Sequence, residues 1–170
     1  MERRLIREFV MDEKAKAILN EYLINISNFY AMLAEWLKDK SLFCEEKDHN
    51  INEKASGEYT AKKLIVFKDA GNQIAEICPV GAWIIGASGR IDLIGDFDQQ
   101  ILIYLKTKTL TTVSSDEEKC DVSENHYSPY YKGFRTSGWY WIEDRRLGKA
   151  HVVSKELFLD LLAEVSDHEF

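Results

Sequence analysis

Cysteine is scarce in this chain of 170 residues, and the few it has lie far apart. Cys44, Cys78 and Cys120 form no CxxC pair and their number is odd. The sequence therefore predicts free thiols in a reducing compartment and no structural disulfide. The histidines, His49, His126, His151 and His168, have no zinc-ligand spacing with one another or with a cysteine. Long apolar runs are missing as well. No stretch approaches the ~20 residues that span a bilayer. Arg7 and Glu8 interrupt the apolar residues of the N-terminus, so no signal-peptide core forms there. These absences predict a cytoplasmic protein with no membrane partner. Positive charge is also short, with 22 Lys and Arg against 29 Asp and Glu and a net charge of −7. Phosphate contacts need clustered Lys and Arg, so this balance argues against a general nucleic-acid binder.

Several catalytic signatures are absent too. Gly86 to Arg90, GASGR, lacks the Gly-Lys-Ser/Thr ending of a phosphate loop, and a strand follows it where a helix should. No nucleophile elbow or Ser-His-Asp arrangement can be picked out. His126 beside Glu124 is a weakly spaced acid/base pair and reads as part of a polar loop. No cofactor is implied.

What the chain does have is an apolar fraction of 45%, enough for a real core. Residues 12 to 40 read as one long helix, because Ile18, Leu19, Tyr22, Leu23, Ile26, Phe29, Tyr30, Leu33 and Leu37 recur at three- and four-residue steps. Asp12 is its expected N-cap. Such a helix is on the order of 40 Å long. That is more than a small sheet needs for cover, so part of the stripe is expected to meet a second copy or another protein. Residues 44 to 57, CEEKDHNINEKASG, read as a polar linker. The expected division is a helical segment, 1–43, and a sheet domain, 58–170, together forming one unit.

Strands are predicted at 63–68, 74–78, 90–94 and 100–107, with turns at 69–72 and 87–89 and an end or bulge at Pro79. Residues 109–128 read as a mobile loop. Tyr130 to Phe134 and Trp139 to Asp144 read as a hairpin, followed by a strand at 149–153. A closing helix, 155–165, is capped by Ser154. The fold class is α+β: an antiparallel meander of roughly six to eight strands, a long N-terminal helix and a short C-terminal helix.

Chemistry is nearest in Gly89 to Lys108, two strands joined by an acidic turn. GRIDLIG followed by ILIYLK resembles the core of the PD-(D/E)xK nucleases, which place an acid on one strand and an acid-x-lysine on the next. The resemblance assigns Asp92 to the first acid and Lys106 to the lysine that orients the attacking water. Tyr104 stands where the second acid belongs, and a phenol is a poor ligand for a hard cation. A polar loop also replaces the helix that follows in that family. Glu58 or Glu76 would have to supply the missing carboxylate. Asp92, Asp96 and Asp98 crowd one turn and are candidate metal ligands, although turns recruit aspartate for backbone hydrogen bonds as well.

A second notable stretch is Gly138 to Arg146, GWYWIEDRR. Alternation puts Trp139 and Trp141 on one face and Tyr140 and Ile142 on the other. With Arg145 and Arg146 the tryptophans make a candidate binding platform, set against the alternative of a core strand ending in surface ion pairs. A third site is a small-ligand pocket lined by Tyr30, Trp36 and Trp83. The sequence reading is a non-enzymatic protein-interaction module that binds a protein or itself through the helix or the aromatic hairpin. The types suggested by analogy are an inhibitor, an immunity factor or an assembly adaptor. The alternative is a metal-dependent nucleic-acid hydrolase around Asp92 and Lys106.

Overall fold

Asp12 accepts a hydrogen bond from the Ala15 amide at 2.7 Å and so starts α1, Glu13–Lys38. The computed structural model describes residues 11–107 and 130–170. The predicted loop at 109–128, with Cys120, Glu124 and His126, lies outside the described residues. After α1 the chain forms β1 (Phe43–Glu53), β2 (Gly57–Asp69), β3 (Asn72–Gly81), β4 (Arg90–Gly95), β5 (Gln99–Leu105), β6 (Gly138–Asp144) and β7 (Lys149–Val152). It closes with α2, Lys155–Ser166, where Ser154 accepts from the Leu157 amide. The seven strands form one antiparallel sheet in sequence order, and the two helices make the fold α+β. Among the described residues, no helix is long and apolar enough to cross a membrane.

The expected linker at 44–57 is instead β1 and the hairpin turn into β2. Its residues pair with β2 without a break, from Phe43 opposite Phe67 to Glu53 opposite Gly57. Backbone pairing specifies this strand, whose side chains are mostly exposed. A second correction concerns Tyr130 to Phe134, which does not form a hairpin strand with β6. Lys132 makes one parallel bridge to Lys149, and Phe134 folds against Tyr140, ring centroids 6.0 Å apart. The Pro79 irregularity is present as a register shift between Pro79 and Gly81.

Both helices lie on one face of the sheet. Tyr22, Ile26, Phe29, Leu33 and Leu37 of α1 and Phe158, Leu161 and Leu162 of α2 share a buried cluster with Leu64, Ile77, Ile91, Leu93 and Leu102. Most of the apolar stripe of α1 is therefore used within the chain, with Ile18 and Leu23 partly buried. Two tyrosines extend the packing to the backbone. The Tyr30 hydroxyl donates to the Lys62 and Ile77 carbonyls at 2.9 and 3.0 Å. The Tyr22 hydroxyl donates to the Arg90 carbonyl at 2.7 Å and accepts from the Gly81 amide. Burial raises both phenols well above their ordinary value, so they remain donors at any working pH. Gly89 is held to glycine by its φ of +148° and by Tyr22, whose ring lies 2.4 Å from where a Cβ would sit.

The opposite face carries a smaller cluster, Ile103, Leu105, Phe134, Tyr140, Ile142 and Ala150. It covers β5 to β7, and on the same face of β2 and β4 Ile65 and Asp92 are buried as well.

Candidate functional site

The hairpin β4–β5 pairs Asp92 with Ile101 and Arg90 with Ile103. Because side chains alternate along a strand, Ile91 and Leu93 enter the helix-side core and Asp92 points to the other face. Asp92 is buried there, 5% exposed. Its carboxylate accepts a two-pronged contact from the Arg90 guanidinium, at 2.7 and 2.8 Å, and a third bond from the Gln99 side-chain Nε2 at 2.5 Å. A planar guanidinium matched to a carboxylate in this way is the strongest form of ion pair. The contact raises the affinity of Arg90 for its proton further.

Lys106 follows the other parity of β5. It binds Glu21 of α1, on the helix side, at 2.6 Å. Tyr104 stays on that side as well, its ring edge-on to Trp139 at 5.4 Å. Asp92 and Lys106 thus face opposite sides of the sheet, and the arrangement that the nuclease resemblance implies is not assembled. Neither substitute acid meets Asp92. Glu76 binds Lys63 at 2.8 Å, which holds its carboxyl below the ordinary glutamate value, and Glu58 is exposed on β2.

Asp96 and Asp98 sit in the exposed turn of the same hairpin. Asp98 accepts from the Gln99 amide at 2.7 Å, a local turn bond. The turn itself is pressed onto the end of α2. The Phe97 amide donates to the Val165 carbonyl, and a Cβ on Gly95 would lie 2.0 Å from that oxygen. Asp92 lies buried inside the sheet with its oxygens engaged. Among the described residues, no group of three or more His, Cys, Asp or Glu is placed to hold a metal ion. Asp92 therefore lies apart from the exposed turn that carries Asp96 and Asp98.

The tryptophan pair separates by depth. Trp139 is 6% exposed, stacks on Phe29 at 5.4 Å and donates its indole N–H to the Asn25 carbonyl. It belongs to the core and not to a platform, because α1 lies over it. Trp141 is half-buried and donates to the Gln100 side chain at 2.9 Å. The His151 ring lies 5.5 Å from it. Glu143 binds Lys149 and His151, each at 2.8 Å, and these contacts hold its carboxyl below the ordinary value. Arg145 and Arg146 are exposed beside Leu147 at the hairpin tip, with no ion pair among the described residues. Surface pairing therefore runs across β6 and β7 and leaves out the two arginines.

The proposed aromatic pocket is also divided. Tyr30 is buried, and Trp36 packs on Phe29 and Phe158. Trp83 lines one cavity, of about 400 Å³, with Ile18, Glu21, Ile85 and Lys106, and Tyr30 lines a separate one, of about 220 Å³, with Leu23, Glu46 and Lys62.

Two features escaped the sequence reading. Glu53, at the end of β1, accepts from the Ala82 and Trp83 amides at 2.9 and 3.1 Å and from the Tyr59 hydroxyl at 2.5 Å. It fastens the β3–β4 connection to the β1–β2 hairpin. On the face away from the helices, Cys78 lies opposite Asp92 in the ladder and its sulfur is 3.5 Å from His49 Nε2. Burial pushes the Cys78 thiol up, which disfavours the thiolate that nucleophilic chemistry needs. Both features join residues distant in sequence, and Glu53 lies in the stretch read as linker.

No family model, no curated protein and no solved structure matches this chain.

Proposed function

We propose that this chain is a non-enzymatic protein-interaction module, of the inhibitor, immunity-factor or assembly-adaptor type. The observation that carries this reading is the engagement of Asp92. The best candidate for catalysis is buried, bound by Arg90 and Gln99, and on the opposite face from Lys106. The groups left for recognition lie on the surface. At the β6–β7 hairpin they are Arg145, Arg146, the exposed Leu147 and the half-buried Trp141, a mixture of the kind that anchors interfaces. On α1 they are the outward Ile24 and Met32.

The test combines light scattering with a metal and cleavage assay. The reading predicts no heat with Mg²⁺ or Mn²⁺ and no cleavage of labelled DNA or RNA. It also predicts that any self-association weakens in the Arg145→Glu/Arg146→Glu variant. Metal-dependent cleavage that disappears in a folded Asp92→Ala variant would overturn it in favour of a hydrolase.

A further inference from the structure

The two edges of the sheet are finished differently. The outer edge of β7 spans four residues, and the segment around Lys132 of the same chain occupies it: the Lys132 amide donates to the Gly148 carbonyl, and the Ala150 amide donates to the Lys132 carbonyl. β1 spans eleven residues, about 35 Å of extended chain at the usual rise. Its register with β2 has no bulge, it contains no proline, and no described strand lies on its outer side. An uncovered edge presents a row of backbone donors and acceptors ready for another strand. Among the described residues, the protective device on this edge is charge.

That charge has a sign. Glu45, Glu46 and Asp48 surround the single Lys47, and all are exposed. Asp48 is paired inward with Lys62 of β2. Glu45 and Glu46 have no ion pair among the described residues, and strand alternation sends one to each face. A second copy of this acidic edge would meet net repulsion. An extended segment bearing lysine or arginine would meet attraction on both faces while completing the backbone ladder.

We propose that β1 is a docking edge for a basic, extended segment of a partner protein, which adds as an eighth strand. This rests on the reading of the chain as a protein-interaction module and names the kind of partner. The test uses the full chain, isotope-labelled, titrated with a decapeptide of alternating lysine and valine. A glutamate–valine peptide serves as control. The expected result is amide shifts and slowed amide exchange within Phe43–Glu53, produced by the lysine peptide alone and weakened by added salt. Glu45→Lys/Glu46→Lys, on an exposed strand and checked for an unchanged fold by circular dichroism, is expected to weaken binding about tenfold. Equal binding of both peptides, shifts confined to other strands, or no shift in β1 at about 1 mM peptide would overturn the proposal. Those outcomes strike the docking edge alone. Nuclease activity lost in Asp92→Ala would strike the broader reading, so the two failures are distinguishable.

Discussion

On the helix-covered face of the sheet, Phe29 lies on Trp139, Phe158 meets Phe29 edge-on at 6.4 Å, and leucines and isoleucines fill the spaces. On the opposite face of β3 and β4, the same alternation presents Glu76, Cys78, Arg90 and Asp92. The first face is held by non-directional burial, the second by directed bonds between charged groups. The difference explains why an aspartate and a lysine that look paired in sequence do not meet in space. Adjacent strands placed an aspartate and a lysine close together along the chain, and the parity of the strands sent them to different sides.

The largest expected effect breaks the covered face. Trp139→Ala removes an indole packed between α1 and the sheet and should destabilise the protein by about 3–5 kcal/mol, measured by urea unfolding. Little change would mean that the indole is not the core residue described. On the other face, Asp92→Ala strands the Arg90 guanidinium and the Gln99 side-chain amide. The expected loss is about 2–3 kcal/mol, below the range for a fully buried pair because Arg90 is partly exposed. Glu53→Ala should cost about 2 kcal/mol, since it leaves the Ala82 and Trp83 amides without their acceptor. Hydrogen exchange should then quicken at those two amides before it does so in the core.

A titration sharpens the comparison further. Glu76 is held below its ordinary value mainly by Lys63. Its stabilising contribution is therefore present above the unfolded glutamate pKa and is lost as pH falls through the lower folded value. Carboxyl resonances should show Glu76 titrating on the acid side of an exposed glutamate, and Lys63→Met should move it upward. Absence of that movement would remove Lys63 as the cause. The smallest effect belongs to Lys106→Ala, whose exposed pair with Glu21 should change stability by no more than about 0.5 kcal/mol. A large loss would reopen a role for Lys106 beyond the surface.

The helices and the inner strands were legible in the sequence because their burial is periodic. The stripe from Leu19 to Leu37 and the cap at Asp12 define α1 almost to its ends. β1 was not legible: its only fully buried residue is Ile51, and its acids resemble a linker because an edge strand with little burial carries little hydrophobic signal. Tyr130 to Phe134 misled in the other direction. Its aromatic residues suit a strand, yet Phe134 packs edge-on against Tyr140 in the smaller cluster. For the site, the sequence pointed to Asp92 and to the turn acids. The partner of Asp92 is two residues away, at Arg90, a spacing that places both side chains on one face of a strand. That spacing, and not the one to Lys106, carries the contact. The bonds of Glu53 to Ala82 and Trp83 join positions that only the folded topology brings together.

The decisive measurement is Asp92→Ala, followed in parallel by urea unfolding and by Mn²⁺ calorimetry with a labelled nucleic-acid cleavage assay. The expected result is a loss of about 2–3 kcal/mol in stability, no metal heat in either protein, and no cleavage to lose. Unchanged stability together with a Mn²⁺-dependent cleavage that vanishes in the variant would contradict it.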